Sequence, residues 1–365
     1  MDFSLNDEQQ ATRELARRIL GDLATPEHHR ELEKAGQWLD ERAWKALADA
    51  GLCGIAVPEA HGGAGLGFLE VALVCEEVGR TVAKVPYAPT AVAAMTLAAH
   101  APAALAAEWL PRVAAGDAVL TSALAEATGP FGVQVRSSAA GDAATLAGEA
   151  AFVPFGLDAA VVLVPAREDG GSLGLYAVAT DGAGVTRTRQ DTTTGIPEAR
   201  FTFSQAPVLG RVGGDDAVHH LVTRATAALC ATAVGVCDAA LRITADYTKG
   251  REQFGRPIAT FQAVGHRAAD AYIDTEAVRL TALQAAWRID EGLPADDAVA
   301  IAKFWAADGG QRVVHAAQHL HGGMGVDRDY PVHRYFLWAK SIELSLGGAT
   351  SQLLAFGERL ADTPA

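Results

Sequence analysis

The segment REQFGRPI, residues 251–258, has residue types that could bind a phosphate group. A guanidinium such as that of Arg251 can donate two parallel hydrogen bonds to phosphate oxygens. Phe254 follows three residues later, and Gln262 follows eleven residues after the arginine. Any one of these residues alone would be interpreted as an ordinary surface arginine or core phenylalanine. The prediction of a ligand site therefore depends on the complete string.

Two glycine-rich segments would let the backbone make a tight turn or approach a ligand closely. Gly322 and Gly323 lie in the string HLHGGMGV, where His319 precedes them. Further glycines lie within residues 62–65, before a helix predicted to begin near Phe68. A glycine-rich loop alone is equally typical of a simple turn.

Histidines and cysteines do not indicate a metal or redox site. His315, His319 and His321 are close in sequence, but no carboxylate or cysteine accompanies them at ligand spacing, so we predict no metal. The cysteines form no CxxC pair and are predicted to be small core residues: Cys53, Cys75, Cys230 and Cys237.

The composition indicates a folded, acidic protein. Of 365 residues, 50% are hydrophobic, and the formal net charge is -14. Such a surface repels phosphate backbones, so we expect no nucleic-acid partner. The first residues predict an amphipathic helix capped by Asn6 or Asp7, not a signal peptide. Residues 91–110 contain too many polar residues and a proline to predict a membrane span, and we expect a cytoplasmic protein.

Three regions differ in hydrophobic periodicity. Residues 1–117 predict helices. Residues 118–212 contain short Val- and Thr-rich runs between Gly, Asp and Pro, which predict an antiparallel β domain. Residues 213–365 again predict helices, long enough for a four-helix bundle. The predicted bundle segments are 219–249, 261–291, 294–320 and 335–360. The predicted fold class is therefore α+β.

Together these motifs resemble the acyl-CoA dehydrogenase family over essentially the whole chain. The matching strings are GLCGIAVPEAHGGAGLGFLEVALVCEEVGR (51–80), REQFGRPI (251–258) and HLHGGMGVDRDYPVHRYFLWAK (319–340). The resemblance implies an N-terminal helical domain, a central β domain and a C-terminal four-helix bundle. It also implies tetramers formed through the bundles, with FAD as cofactor and each FAD shared between two chains.

The resemblance implies cofactor contacts for six residues: Arg251, Phe254, Gln262, His319, Gly322 and Gly323. In the family, the arginine contacts the pyrophosphate of a neighbouring subunit's FAD, the aromatic packs beside the cofactor, and the glutamine completes the pocket. His319 stands where the family has a glutamine that reaches the adenosine side. The paired glycines let the backbone approach the cofactor.

The catalytic carboxylate of the family has no counterpart in this sequence. The family's reaction removes an α-proton with a glutamate while a hydride leaves to the flavin. In most members that glutamate corresponds here to Leu346 or Gly347, and in a minority to Ala225; none of these side chains can accept a proton. Glu343, one helical turn away, is predicted to be a solvated residue on a helix surface. We therefore assign no catalytic residue.

The resemblance also implies that two hydroxyl contacts to the flavin ring are missing, because Ala125 and Pro154 occupy their positions. The chain would then retain only the contacts that serve a neighbour's FAD, and a homologous partner subunit would supply the base and the flavin-ring contacts. Strings such as FQAVGHRAADAYIDTEAVRLT and LGGATSQLL are similar to the smaller subunit of bacterial α2β2 acyl-CoA dehydrogenases that act on steroid side-chain CoA thioesters.

The predicted function is that of one subunit in such a heterotetramer. The complex would oxidise a bulky acyl-CoA to the 2,3-enoyl-CoA and pass electrons to an electron-transfer flavoprotein. Three alternatives stay open. The chain could be a homo-oligomeric dehydrogenase that uses Glu343 as base, a flavin monooxygenase or nitroalkane-type oxidase on the same fold, or a non-enzymatic subunit that stabilises a partner.

Overall fold

A computed structural model describes residues 4–129, 132–138 and 143–362 of the protein. Residues 1–3 and 363–365, the ends of the predicted outer domains, lie outside the described residues. The chain begins with helices, and the helix expected near Phe68 begins at that residue. Their bounds are α1 (Asp7–Leu23), α2 (Pro26–Lys34), α3 (Glu41–Asp49), α4 (Phe68–Thr81), α5 (Tyr87–His100) and α6 (Ala103–Ala114).

The start of α1 confirms the capping signal in the sequence. The side chain of Asn6 accepts a hydrogen bond from the backbone N–H of Gln9 at 2.8 Å, and the Gln9 side chain accepts one from the N–H of Asn6 at 3.1 Å. This reciprocal pair satisfies two N–H groups that a helix start otherwise leaves without partners. The helix then buries Thr12, Ala16 and Leu20, which lie on successive turns.

The apolar segment 91–110 is not a single helix. It is divided between α5 and α6, which are separated by Ala101 and Pro102. Among the described helices, only Asp215–Gly250 is long and apolar enough to cross a membrane, and 78% of its most apolar window is buried inside the protein. That degree of burial is typical of a core helix.

The region after α6 forms a mixed sheet. Its strands are β1 (Leu120–Ser122), β2 (Arg136–Ser137), β3 (Thr145–Pro154), β4 (Val161–Arg167), β5 (Leu173–Ala179), β6 (Val185–Gln190), β7 (Glu198–Pro207) and β8 (Gly210–Gly213), with the short helix α7 (Ala125–Thr128) after β1. The described strands lie in the order β6-β7-β3-β2-β4-β5-β8. The core of the sheet includes Leu146, Val162, Tyr176 and Phe201.

Most neighbouring strands are antiparallel, which confirms the predicted β domain in its main feature. The exceptions are β1 and β2, which both pair in parallel with β4. The strand β1 pairs along the start of β4 and β2 pairs with its last residue, Arg167. The opposite edge of β4 pairs with β5. Alternation of apolar residues identifies strands but not their relative direction, so the sequence could not show these parallel pairs.

The C-terminal region is helical, as predicted, but its last helix is divided. The helices are α8 (Asp215–Gly250), α9 (Gln262–Asp290), α10 (Asp296–His321), α11 (Val332–Leu344) and α12 (Ala349–Asp362), with a hairpin of β9 (Glu252–Gln253) and β10 (Arg256–Pro257) after α8. The prediction of one helix over 335–360 is therefore wrong. Leu346 and Gly347 adopt φ of 55° and 89°, which no right-handed helix permits.

Contacts between Cα atoms divide the chain into two compact units. One unit contains residues 1–36, 72–83 and 226–365, and the other contains residues 37–71 and 84–225. The helices of the first unit pack around Cys237, Ala271, Val313 and Ala316. The second unit holds the sheet. The three domains 1–117, 118–212 and 213–365 stay a prediction from the sequence.

The cysteines are core residues, as predicted. All four are free and buried, and burial raises the pKa of each thiol to about 12, which keeps it protonated. They are Cys53, Cys75, Cys230 and Cys237.

Candidate functional site

The predicted phosphate-binding string forms a tight hairpin at the end of α8. The backbone N–H of Arg251 donates to the carbonyl oxygen of Tyr247, and its own carbonyl accepts from Ile258, both at 2.8 Å. Phe254 and Gly255 form the turn with φ of 54° and 74°. A two-residue hairpin turn of this kind needs positive φ at both positions. Glycine adopts that conformation freely, whereas a phenylalanine is strained there.

Phe254 is held on this strained turn with its side chain almost fully in solvent, at 93% exposure. The edge of the ring meets Phe261, with centroids 6.1 Å apart, and the Arg256 guanidinium lies 4.2 Å from the Phe261 ring centroid. These contacts support the hairpin from one side. The remaining surface of Phe254 is free to pack on a ligand or a second chain.

Arg251 and Gln262 are both exposed. Within the described residues, the Arg251 guanidinium forms no ion pair with a carboxylate. Gln262 is the first residue of α9, and Phe261 before it supplies no side-chain cap. A helix start carries partial positive charge and free N–H groups, so this hairpin and the start of α9 together favour an anion.

The paired glycines follow directly after α10. Gly322 has φ of 58° and ψ of -133°, a backbone conformation that side chains with a Cβ rarely adopt. Nothing lies within 4 Å of the Cβ position of Gly322 or Gly323. The carbonyl oxygen of His319 accepts the N–H of Gly322, and the His319 side chain is exposed on the last turn of α10. The turn therefore presents bare backbone to solvent.

The structure brings these two predicted groups together through a contact that the sequence analysis missed. The Tyr247 hydroxyl donates to the carbonyl oxygen of His321 at 3.3 Å, and the two rings stack with centroids 4.4 Å apart. Tyr247 lies one helical turn before Arg251, and His321 immediately precedes Gly322. Their closeness in sequence to Arg251 and Gly322 was the signal that could have identified Tyr247 and His321.

We call the six predicted residues, Arg251, Phe254, Gln262, His319, Gly322 and Gly323, the cofactor edge. All of them lie in the unit that contains the C-terminal helices. Within the described part of the chain, no three His, Cys, Asp or Glu side chains come together as metal ligands would.

The positions at which the resemblance would place a catalytic base carry no acid. Leu346 and Gly347 form the break between α11 and α12, where the Lys303 ammonium, fully buried, donates to the carbonyl oxygen of Glu343 at 3.2 Å. Ala225 contributes only a methyl group on α8. Lys303 therefore holds the last turn of α11 next to the break, and neither Leu346 nor Gly347 has a side chain that can accept a proton.

The prediction that Glu343 is solvated is wrong. Its side chain is only 18% exposed and forms an ion pair with Lys340, one helical turn earlier. The i,i+3 spacing brings the two charges onto the same face of α11. A carboxylate engaged in this way is held in place by its partner.

The two positions said to lack flavin contacts lie in the sheet unit. Ala125 begins α7, and the carboxylate of Glu126 beside it accepts the backbone N–H of Ala151 at 2.7 Å. Pro154 ends β3, directly opposite Glu198 on β7. Burial raises the pKa of Glu198 to about 7. The sequence gives no signal for this carboxyl group, because only strand register places it beside Pro154.

Comparison with known proteins identifies the family. Residues 6–117 match the family profile "Acyl-CoA dehydrogenase, N-terminal domain", and residues 214–361 match "Acyl-CoA dehydrogenase, C-terminal domain". The chain is 42% identical to acyl-CoA dehydrogenase FadE27 of Mycobacterium tuberculosis, with 100% of both proteins covered. These matches show that the protein belongs to the acyl-CoA dehydrogenase family of oxidoreductases.

Two similar solved structures are heteromeric. A chain of the ChsE4–ChsE5 complex from Mycobacterium tuberculosis superposes with a TM-score of 0.95 at 43% identity and covers 100% of both chains. A chain of a Tcur3481–Tcur3483 steroid acyl-CoA dehydrogenase variant superposes with a TM-score of 0.92 at 42% identity, covering 98% of this chain and 99% of the other. The resemblance to subunits of heteromeric steroid dehydrogenases is thereby confirmed.

Proposed function

We propose that this protein is a half-site subunit of an α2β2, FAD-dependent acyl-CoA dehydrogenase. The complex oxidises a bulky, steroid-derived acyl-CoA to its 2,3-enoyl-CoA, and an electron-transfer flavoprotein receives the electrons in the cytoplasm. The similarity to one chain each of ChsE4–ChsE5 and of a steroid acyl-CoA dehydrogenase supports both the partner and the substrate class.

The cofactor edge fits FAD in its chemistry. Arg251 offers a guanidinium without a carboxylate partner among the described residues, and this group suits a pyrophosphate. Phe254 offers an exposed aromatic face, and Gly322 and Gly323 offer backbone without side chains. Gln262 and His319 supply exposed polar groups beside them. When bound, FAD supplies the hydride acceptor of the reaction.

The observation that carries the proposal is a contrast within the chain. The cofactor edge is open and chemically suited to FAD, whereas Leu346, Gly347 and Ala225 cannot accept the α-proton of an acyl-CoA. A positioned base contributes about a hundred- to ten-thousandfold to such a proton transfer. We therefore assign the base and the flavin-ring contacts to the partner subunit, and the edge contacts to this chain.

The proposal predicts how FAD is distributed between chains. We expect the chain purified alone to hold little flavin and a mixed tetramer with its homologous partner to hold about one FAD per two chains. Flavin absorbance against protein concentration measures both values. Full FAD occupancy of the isolated chain, together with acyl-CoA turnover, would instead support a homo-oligomeric enzyme that uses Glu343.

A matched pair of variants tests the role of the edge. Arg251→Ala in the mixed tetramer should lower FAD affinity by about tenfold or more, because a charge-assisted contact to phosphate is lost. Arg18→Ala removes the same charge from an exposed arginine on α1 and should leave FAD affinity unchanged. Equal FAD affinity in the two variants would point to a subunit that only stabilises its partner.

A further inference from the structure

Tyr247 touches both halves of the cofactor edge. Its carbonyl oxygen accepts the N–H of Arg251 at 2.8 Å, so the last turn of α8 holds the first residue of the hairpin. Its hydroxyl donates to the carbonyl oxygen of His321 at 3.3 Å, the residue immediately before Gly322. The two aromatic rings stack at 4.4 Å with planes 27° apart. One residue therefore joins segments that are 74 positions apart in the sequence.

A second tyrosine contacts this pair from beyond the glycine turn. Tyr330 follows the short helical turn Gly322–Val326, and its ring centroid lies 5.1 Å from that of His321 and 6.1 Å from that of Tyr247. Rings at these separations attract one another. Because residues before and after the turn both pack on Tyr247, the backbone between them is fixed relative to α8.

The orientation of the His321 ring is set by one hydrogen bond. The ring is buried, at 3% exposure, and Nδ1 lies 2.7 Å from the carbonyl oxygen of Ala317. Burial lowers the pKa of His321, so the ring is neutral and Nδ1 carries the proton that it donates. Within the described residues, Nε2 has no hydrogen-bond partner. An apolar side chain could fill this space without leaving a buried acceptor unpaired. The imidazole instead uses Nδ1 to fix the plane of its ring against the ring of Tyr247.

We infer that Tyr247 and His321 form a positioning pair, which holds Arg251 and the Gly322–Gly323 backbone in a fixed relative position so that both can contact one FAD molecule. The inference rests on the proposed function, because it assigns both segments to one cofactor. Neither residue takes part in the reaction. Their contribution is to keep two FAD-binding segments from moving independently.

Hydrogen exchange on the full chain tests the coupling without a partner or cofactor. Tyr247→Phe removes the hydroxyl and keeps the ring, whereas Tyr247→Leu removes both. We expect the amides of residues 322–326 to exchange about three- to tenfold faster in Tyr247→Phe, and faster still in Tyr247→Leu. Tyr335→Phe is the matched control, because the Tyr335 hydroxyl donates to the carbonyl oxygen of Arg80 at 3.0 Å. It should leave these amides unchanged even if it lowers the melting temperature.

FAD retention in the mixed tetramer tests the consequence. Release of FAD, followed by flavin fluorescence, should be about three- to tenfold faster with Tyr247→Phe than with Tyr335→Phe. If Tyr247→Phe leaves FAD release or the exchange of residues 322–326 at the control level while Arg251→Ala still weakens FAD binding, the positioning role is refuted and the proposed function stands. If Arg251→Ala also has no effect, the proposed function fails, and the inference fails with it.

Discussion

The folded structure favours the uncharged form of the His220 imidazole. It lies partly buried near the start of α8, with its ring edge-on to His100 at 4.8 Å and its Nδ1 3.3 Å from the Thr96 hydroxyl. Burial, assisted by the positive charge of Arg224, lowers the pKa of His220 to about 3, against the opposing effect of Asp216. The imidazole therefore stays uncharged in the folded protein well below the pH at which a free histidine is protonated.

This shift predicts a loss of stability in mild acid. In the unfolded chain a histidine titrates near 6.5, so below that pH the unfolded state binds a proton that the folded state excludes until about pH 3. The free energy of unfolding should therefore fall with pH below 6.5, by at most about 1.4 kcal/mol per pH unit from this group. Solvent screening of the partly exposed ring reduces the slope.

Urea unfolding of the wild type and His220→Gln at about pH 7 and about pH 5 measures this contribution. The decrease between the two pH values should be smaller in the variant, which has no group to protonate at that site. An equal decrease in both proteins would assign the acid sensitivity to other groups.

At the scale of elements, α4 and α8 approach closely enough to require glycine at two points. A Cβ added to Gly235 would lie 1.8 Å from the carbonyl oxygen of Glu76, and one added to Gly79 would lie 2.0 Å from that of Thr232. Both obstacles are backbone atoms, which cannot rotate away. The two helices can therefore lie this close together only because glycine, which has no side chain, occupies both positions.

Ion pairs also link α4 and α8 beside these glycines. Arg80 on α4 pairs with Glu76, Glu77 and Asp238, and Arg279 on α9 pairs with Glu76 at 3.0 Å and with Asp238 at 2.9 Å. Burial disfavours the charged form of Asp238, but the surrounding guanidinium groups outweigh burial and lower the pKa of this carboxyl group. The network ties α4, α8 and α9 to one another.

The packing of these helices predicts a large effect of one methyl group. Gly235→Ala should destabilise the protein by about 3 kcal/mol or more, because α4 and α8 must separate and strain their ion pairs. Gly357→Ala on α12 has open space around the added Cβ and should be neutral or stabilising by up to about 1 kcal/mol. Thermal or urea unfolding of the two variants checks the contrast, and similar stabilities would contradict the proposed close contact.

At the scale of the whole molecule, the C-terminal helices expose apolar side chains that a lone chain would leave in water. On α9 these are Tyr272, Ile273 and Leu280, and on α12 they are Leu353, Leu354 and Leu360, each at least 49% exposed. Several exposed apolar side chains on one helix are typical of subunit interfaces. They support association through the helical unit, in agreement with the proposed heterotetramer.

A charge placed on this surface should disrupt assembly without unfolding the chain. Ile273 is 63% exposed, so Ile273→Glu should leave the melting temperature of the isolated chain nearly unchanged. In a mixed sample with the partner subunit, it should reduce the tetramer fraction seen by sedimentation velocity by about tenfold, because a carboxylate would be buried at the interface. Ile273→Val keeps the surface apolar and should assemble normally. Normal assembly of Ile273→Glu would exclude this part of α9 from the interface.

The amino-acid sequence predicted the helix and strand regions and a cap at Asn6 or Asp7, and it supplied the six residues of the cofactor edge, which stay a prediction. These features follow from signals within a few residues of one another, such as periodicity, capping side chains and glycine pairs. The sequence also showed that no acid occupies the expected base positions, because residue identity alone decides whether a side chain can ionise.

The tertiary structure decided the features that depend on distant partners. Glu343 is partly buried and paired with Lys340, and the chain breaks at Leu346, whereas local periodicity predicted a continuous helix. The parallel pairing of β1 and β2 with β4 and the stacking of Tyr247 on His321 join segments far apart in the sequence. Periodicity reports which face of an element is apolar, but the element that covers that face is chosen only when the whole chain packs.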